Sequence, residues 1–217
     1  MSRGCRLIII AVTVSGGWVW GAVLTNPGFE TGDLTGWTTF GDNGNIHVES
    51  VSPQEGTYAL KLYQQFTGTT NYSGVYQNLP CIPGATYRLS GYLRNGYPST
   101  DYLQTNNRAF LKLEWYDASG TMLGFVENYD PPSQGLDWNT PQDDTWRFNS
   151  FDATAPAGAV TVRVVLIHAY QGSGYEGGSS WFDNLNFGAV PEPGIWVGMV
   201  VGATMLATAR AVGRRRT

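Results

Sequence analysis

Residues 86–95 and 108–116 of this chain alternate apolar and polar side chains with a period of two. A strand sends successive side chains to opposite sides, whereas a helix forms an apolar face from residues three or four positions apart. The alternation therefore predicts two half-buried strands. The residues expected to face a core are Tyr87, Leu89, Gly91 and Leu93 in the first strand and Ala109, Leu111, Leu113 and Trp115 in the second.

Similar short segments rich in Val, Ile, Leu, Tyr, Phe and Thr recur along residues 22–189, separated by clusters of Gly, Pro, Asn and Asp. Residues 160–167 are apolar at most positions, which predicts a strand buried on both faces. Asp117-Ala118-Ser119-Gly120 predicts a hairpin turn, and residues 127–145 a long loop. No window has a convincing helical period. About nine or ten strands at this spacing favour an all-β fold, a two-sheet antiparallel sandwich of the jelly-roll type.

Both ends of the chain differ from this pattern. Arg3 and Arg6 precede an apolar stretch, an arrangement typical of a secretory signal peptide, which we place at residues 1–21. An uncleaved signal anchor is the alternative. At the other end, the apolar residues 195–209 are followed by four arginines, which favours a transmembrane helix with the arginines on the cytoplasmic side. An amphipathic helix is the alternative there, although the segment has no polar stripe.

A short proline motif, Val190, Pro191, Glu192 and Pro193, stands directly before this apolar segment. Proline motif, helix and arginine cluster in this order resemble the PEP-CTERM sorting signal of Gram-negative bacteria. The resemblance implies transient anchoring in the inner membrane, recognition by an exosortase-type processing enzyme, and delivery to the cell surface or extracellular matrix. We therefore divide the chain into a signal peptide, a domain at residues 22–189 and a sorting segment at residues 190–217.

The exported region is strongly acidic. Residues 22–190 carry 7 Lys and Arg against 16 Asp and Glu, a formal charge of −9, whereas the whole chain has a net charge of −4. An acidic surface repels phosphate backbones, which argues against nucleic acid as a partner. Cys81 is the one cysteine of this region, so an intramolecular disulfide cannot stabilise it.

Five short motifs resemble the galactose-binding-like jelly roll, in particular the carbohydrate-binding modules found beside xylanases and glucanases. The motifs are residues 26–30, 56–62, 83–94, 113–117 and 180–187, which include Asn-Pro-Gly-Phe-Glu at the start and Ser-Trp-Phe-Asp-Asn at the end. The resemblance covers nearly all of the exported region. It implies an extracellular polysaccharide as the binding partner.

The first and the last of these motifs contain the carboxylates Glu30 and Asp183, which we place on the first and last strands. Such strands can be neighbours in a sandwich, and two carboxylates with nearby carbonyl oxygens suit a structural Ca²⁺ ion. The resemblance implies the same metal site, with Glu30, Asp183 and a loop carbonyl near Gly56 as ligands and Asn26 as a further candidate. The alternative is that both carboxylates only cap turns.

Sugar recognition needs aromatic faces and planar polar groups in an exposed groove. The outward positions of the predicted strands supply the candidate ligand-binding residues Tyr63, Tyr92, Arg94, Glu114 and Tyr116, with Lys112, Tyr72 and Tyr76 beside them. The alternative is that these side chains cover another layer of the protein. The tryptophans expected in the core are Trp37, Trp115 and Trp181.

No catalytic motif is evident in the sequence. His47 and His168 are far apart, and no nucleophile elbow, phosphate loop, dinucleotide motif or zinc-ligand spacing occurs. Glu49 and Glu114 could pair as in glycosidases, although any chain this acidic supplies such pairs by chance. We therefore expect a non-catalytic carbohydrate-binding protein. A structural biofilm-matrix or adhesion protein without a sugar site is the alternative, followed by a small glycan-active enzyme.

Overall fold

Eleven β-strands make up the regular structure of the part of the chain that the structure, a computed structural model, describes: residues 23–41, 43–98, 100–129 and 135–191. The strands are β1 (Thr38–Phe40), β2 (Ile46–Glu49), β3 (Ala59–Tyr63), β4 (Asn71–Pro80), β5 (Thr86–Asn95), β6 (Asn107–Tyr116), β7 (Met122–Glu127), β8 (Leu136–Asp137), β9 (Arg147–Thr154), β10 (Thr161–Tyr170) and β11 (Ser179–Ala189). The one helical element within these ranges is a short 3₁₀ turn at Asn43–Asn45.

The strands form two antiparallel sheets. One has the order β1-β4-β10-β6-β7, with β8 paired to β6, and we call it the β10 sheet. The other has the order β2-β3-β11-β5-β9, and we call it the β11 sheet. The predicted all-β sandwich of jelly-roll type is thereby confirmed. The eleven strands exceed the expected nine or ten because short elements such as β1 and β8 are included, and β8 lies in the segment predicted as a long loop.

The main core lies between the two sheets. The predicted inward positions of β5 and β6 are confirmed, since Leu89, Leu93, Leu111 and Leu113 are fully buried in one cluster. Aromatic rings fill the core near the start of β5 and the end of β11, where Tyr87 stacks on Phe187 with 5.3 Å between ring centroids. This burial of apolar surface is the main source of the sandwich's stability.

Strand β10 is buried on both faces, as predicted. Val162, Val164 and Leu166 belong to the core between the sheets. Val165 and Ile167 point to the outer face of the β10 sheet, where they are 3% and 6% exposed. Three partly buried rings pack against this outer cluster, those of Phe40, Tyr76 and Tyr129. The β10 sheet therefore has an aromatic layer on its outer face.

The predicted hairpin turn joins β6 and β7. One carboxylate oxygen of Asp117 accepts hydrogen bonds from the amides of Ser119 and Thr121, both at 2.9 Å. Gly120 has a φ of +83°, a conformation that glycine adopts without steric cost. This turn brings β7 alongside β6 at the edge of the β10 sheet.

A buried histidine links the two sheets. His168 on β10 lies 3.0 Å from the Ser180 hydroxyl on β11 and 2.9 Å from the Asn107 side-chain oxygen on β6. Burial lowers the pKa of His168 to about 3, so the ring is neutral at physiological pH. Its environment is that of a hydrogen-bonded core residue.

The two ends of the chain fall mostly outside the described residues. The signal peptide at 1–21 and the apolar segment at 195–209 both do, as do Glu192 and Pro193 of the sorting motif. Val190 is described, and its amide donates to the Thr86 carbonyl at 2.8 Å, which extends the pairing of β11 with β5. Among the residues that the structure describes, none forms a helix long and apolar enough to cross a membrane.

Candidate functional site

The five predicted ligand-binding residues lie on opposite sides of the sandwich. Glu114 and Tyr116 are on the outer face of the β10 sheet, whereas Tyr63, Tyr92 and Arg94 are on the outer face of the β11 sheet. Packed sheets are about 10 Å apart between backbones, and the core fills the space between them. The five residues therefore do not form the single site that we expected, because alternation along a strand does not identify the sheet to which the strand belongs.

A compact polar cluster surrounds Glu114 on the β10 sheet. Its carboxylate accepts a hydrogen bond from the Tyr116 hydroxyl at 2.6 Å and pairs with Lys112 at 3.0 Å. Arg163 on β10 approaches the same carboxylate at 3.6 Å and donates to the Tyr116 hydroxyl at 3.0 Å. A second donor of Arg163 reaches the Asn78 side-chain oxygen at 2.9 Å. Each polar group is thus held by at least one neighbour.

Aromatic rings flank this cluster. The guanidinium of Arg163 lies between two rings, 4.1 Å from the centroid of Tyr76 and 4.6 Å from that of Tyr116. Tyr76 is also next to Phe40 on β1, with 6.4 Å between ring centroids. Flat rings beside fixed hydrogen-bonding groups are the combination that recognises a sugar, whose ring has apolar faces and a polar rim.

The ionisation of Tyr116 fits a hydrogen-bonding role. Burial, followed by the hydrogen bond to Glu114, raises the pKa of Tyr116 to about 12. Its hydroxyl therefore stays protonated at neutral pH, donates to Glu114 and accepts from Arg163.

Further cationic and aromatic side chains continue along the same sheet face. The Lys112 ammonium lies 4.2 Å from the Phe125 ring centroid, and the Arg108 guanidinium lies 4.3 Å from that of Tyr129. Tyr129 in turn is 5.7 Å from Phe110. The sequence reasoning named Lys112 but missed Arg108, Phe125, Tyr129 and Arg163 as members of this face.

The residues on the β11 sheet have different surroundings. Arg94 is only 1% exposed, with its guanidinium between the rings of Tyr97, Trp146 and Trp181, and it donates to the Ser52 carbonyl at 2.8 Å. This burial contradicts the expectation that Arg94 faces a sugar. Tyr92 is partly buried and packs edge-on against Phe148, with 5.3 Å between ring centroids.

The three core tryptophans are all buried, but they do not share one core. Trp37 and Trp115 belong to the cluster between the sheets. Trp181 instead points outward from the β11 sheet, where it is covered by Lys61 and Arg94 at 5.4 and 4.9 Å from its ring centroid. The expected core position of Trp181 is therefore corrected to a buried position beneath charged side chains.

The predicted metal ligands do come together. Glu30, Gly56 and Asp183 line one pocket of about 340 Å³, and Asn26 lines it as well. Glu30 lies in the loop before β1, not on a strand as expected, while Asp183 lies on β11. A hydrogen bond from the Leu185 amide to the Pro27 carbonyl, at 3.0 Å, holds the loop beside β11, and a stack of Phe29 on Trp37 packs the loop within itself.

Backbone amides hold both carboxylates in this pocket. Asp183 accepts from the amides of Gln54 and Glu55 at 2.8 and 3.2 Å, and Glu30 accepts from those of Thr57 and Tyr58. Burial raises the pKa of Asp183 to about 6, an effect that the amides partly oppose and to which the Glu30 charge adds.

Gly56 and Asn26 have clear structural roles in this pocket. Gly56 has a φ of +71°, and a Cβ atom there would overlap the Glu30 carboxyl group. The Asn26 side chain donates to Thr31 and to the Asp33 carbonyl, so it organises its own loop. No group of three or more His, Cys, Asp or Glu side chains suited to a metal occurs among the described residues, so a cation here would also need carbonyl or amide oxygens.

The carboxylate pair considered for hydrolysis does not exist. Glu114 is on the outer face of the β10 sheet, whereas Glu49 lies on β2 in the β11 sheet. His47 is on the same strand as Glu49, and His168 is in the core.

Comparison with known proteins gives one family match. A family model described as a carbohydrate binding domain matches residues 21–169. Comparison with curated protein sequences found no match.

Solved structures share the fold at low sequence identity. TmCBM61 in complex with β-1,4-galactotriose is 18% identical with a TM-score of 0.50, over 76% of this chain and 95% of that one. The CBM22-1 xylan-binding domain of Paenibacillus barcinonensis Xyn10C is 13% identical with a TM-score of 0.50, over 79% of this chain and 97% of that one.

The enzymatically active domain of bacteriophage CBA120 tailspike protein 4 is 13% identical with a TM-score of 0.54, over 76% of this chain. The alignment covers 21% of the tailspike chain. At these identities the likeness is one of fold.

Proposed function

This chain belongs to the family of carbohydrate-binding domains, and on that premise we propose that it binds a polysaccharide along the outer face of the β10 sheet. The observation that supports this location is the cluster of Glu114, Tyr116 and Arg163 beside the ring of Tyr76. The rings offer stacking surfaces, and the cluster offers acceptors and donors in fixed positions. The face continues across several strands, which suits an extended glycan better than a single sugar.

We further propose that the protein binds its glycan without cleaving it. Glycoside hydrolysis uses two carboxylates about 5 to 9.5 Å apart, one of them protonated to act as the acid. Glu114 is paired with Lys112 and accepts a hydrogen bond from Tyr116, so both oxygens of its carboxylate are already engaged by neighbouring side chains. Glu49, the carboxylate considered as its partner, is on the other sheet.

Affinity electrophoresis through gels containing a neutral or an acidic polysaccharide tests this function. Tyr76→Ala and Glu114→Gln should reduce the retention of the protein, because truncation of an aromatic or polar anchor commonly costs about 2 kcal/mol or more. Tyr92→Ala is the matched control, since it removes a partly buried tyrosine from the opposite sheet. It should leave retention unchanged.

Each result of that experiment decides between alternatives. Loss of retention in Tyr92→Ala but not in Tyr76→Ala would place binding on the β11 sheet. If the unmodified protein is not retained by any polysaccharide, the role of a structural matrix or adhesion protein replaces sugar binding. Circular dichroism and melting curves must show that each variant is folded.

A structural Ca²⁺ ion is proposed in the pocket between Glu30 and Asp183. The donors available there are oxygens, which Ca²⁺ prefers. Each carboxylate can accept about four hydrogen bonds, one at each lone-pair site. The hydrogen bonds from backbone amides use only part of this capacity. A bound cation would offset the cost of burying the Asp183 charge and would hold the N-terminal loop against the last strand. Chelation should then lower the melting temperature, and Asp183→Ala should abolish that difference.

Export and sorting are proposed from the two ends of the sequence. A signal peptide and a PEP-CTERM-type tail would take the domain through the inner membrane to the cell surface or extracellular matrix of a Gram-negative bacterium, with processing by an exosortase-type enzyme. The mature protein should then lack Arg214, Arg215 and Arg216. Intact-mass measurement on protein from the surface of the native host tests this, and recovery of the complete C-terminus would refute it.

A further inference from the structure

A second pocket lies on the outer face of the β11 sheet, on the side of the sandwich away from the proposed polysaccharide face. It has a volume of about 400 Å³. Its lining residues come from β2, β3 and three loops, and they are His47, Glu49, Lys61, Tyr63, Phe66, Asp101 and Gly178. A volume of this order is within the usual range for small-molecule sites, about 300 to 1,000 Å³.

Three rings form the aromatic part of the pocket. Tyr63 and His47 are stacked, with 5.6 Å between centroids and 11° between ring planes. The Tyr63 hydroxyl donates to the Gly44 carbonyl at 2.9 Å, and the His47 ring nitrogen lies 3.0 Å from the same hydroxyl. Phe66 is the third ring, 6.1 Å from Tyr63. The stack and its hydrogen bonds fix Tyr63 before any ligand arrives.

The position of Phe66 is difficult to explain by folding alone. Its side chain is 42% exposed, and its backbone has a φ of +52°, which is unfavourable for a bulky residue. The conformation is held by Gln64, which is fully buried and whose side-chain oxygen accepts from the Phe66 amide at 3.2 Å. A buried amide thus maintains a strained backbone that presents an apolar ring to solvent, which is common at binding sites.

Charged groups form the other side of the pocket. Lys61 and Asp101 make an ion pair at 2.9 Å, and Asp101 also accepts from the Ser179 hydroxyl at 2.8 Å. Glu49 adds a second carboxylate. Glu49, Asp101 and Lys61 together carry a formal charge of −1, so the lining offers hydrogen-bond acceptors to hydroxyl groups and repels anions.

We propose that this pocket is a second saccharide-binding site, which takes a single neutral sugar ring. Phe66 and Tyr63 supply the apolar contact, Glu49 and Asp101 accept from the sugar hydroxyls, and Lys61 donates. Because the pocket and the polysaccharide face are on opposite sheets, the two sites bind independently. One molecule can then hold two glycan segments at once, which raises the avidity for a network of chains.

Amide chemical-shift mapping of the ¹⁵N-labelled full-length chain, in a detergent that contains no sugar, tests this site. The probes are methyl β-xylopyranoside, methyl β-glucopyranoside and methyl β-galactopyranoside, with sodium glucuronate as an anionic comparison. At least one methyl glycoside should cause saturable shifts at Lys61, Tyr63, Phe66 and Gly178. Glucuronate should bind more weakly in the same pocket.

Two variants and a matched control make the result specific. Phe66→Ala should raise the dissociation constant of the bound methyl glycoside about tenfold, because the apolar contact between the Phe66 ring and the sugar is lost. Glu49→Gln removes one negative charge from the lining, so it should reduce the ratio of the dissociation constant of glucuronate to that of the neutral sugar. Phe148→Ala removes a 61% exposed ring from the same sheet face outside the pocket and should change neither result.

The absence of saturable shifts with all three methyl glycosides would overturn the proposal, as would unchanged affinity in Phe66→Ala. Tyr76→Ala should leave these shifts intact even if it abolishes polysaccharide retention. The proposal of the second site and the proposal of the polysaccharide face are therefore tested independently, and either can be rejected without the other.

Discussion

Replacement of Asp183 by asparagine is expected to change how the stability of the calcium-free protein depends on pH. The Asp183 side chain is 1% exposed, and burial raises its pKa from 3.8 to about 6. The folded protein therefore binds a proton at this carboxyl more tightly than the unfolded chain does, so its ionisation destabilises the fold. This penalty is absent below about pH 4, grows as the pH rises, and is complete above about pH 6.

The size of the effect follows from the shift. A difference of about 2 units between the folded and unfolded pKa of Asp183 corresponds to about 3 kcal/mol in the free energy of unfolding. Since asparagine does not ionise, the wild-type protein should lose about 3 kcal/mol relative to Asp183→Asn between about pH 4 and pH 7. His168 acts in the opposite direction, because its lowered pKa makes stability rise with pH between about 3 and 6.5. His168 is present in both proteins, so its contribution cancels in the difference.

Urea unfolding in EDTA, followed by the fluorescence of the eight tryptophans, measures this difference. With a slope of about 2 kcal/mol per molar urea, a change of 3 kcal/mol moves the wild-type midpoint by about 1.5 M relative to the variant. A difference that stays constant across this pH range would refute the argument that Asp183 is costly to ionise in its pocket.

The same measurement with excess Ca²⁺ at neutral pH tests the metal separately. Calcium should stabilise the wild-type protein and have little effect on Asp183→Asn, because the ion binds the ionised carboxylate. Equal curves with calcium and with EDTA would reject the metal site, while the pH dependence in EDTA would still stand.

Three further predictions concern the core, the metal loop and the sugar face. Leu111→Ala should lower the free energy of unfolding by about 2 to 5 kcal/mol, since the residue is fully buried, and a loss below about 1 kcal/mol in urea titrations would contradict its core role. Gly56→Ala should lower the melting temperature more than Gly120→Ala, because both residues have positive φ but only the first has a neighbouring carboxyl group, that of Glu30, in the way. Arg163→Lys should weaken retention on polysaccharide gels, because lysine keeps the charge but not the planar stack or the paired hydrogen bonds, and wild-type retention would contradict this.

The alternation of residues along single strands was enough to predict the fold class and many core positions. In β6, Leu111 and Leu113 face the core because side chains in a strand must alternate, whatever surrounds them. The both-sides burial of β10 and the turn at residues 117–120 were equally visible, since they depend on residue types at adjacent positions. The sequence also predicted that Glu30 and Asp183 lie close together, and both line one pocket, although Glu30 lies in a loop.

The tertiary structure alone decided which outward residues share a surface. Tyr92 and Glu114 both point away from the core, but β5 and β6 belong to different sheets, so the two side chains are on opposite sides of the molecule. Arg94 is buried on an outer face because the loop residues Tyr97 and Trp146 cover it, and Trp181 is buried there beneath Lys61 and Arg94. Alternation defines two faces of a strand, whereas strand pairing and loop packing, which join residues far apart in sequence, determine what each face meets.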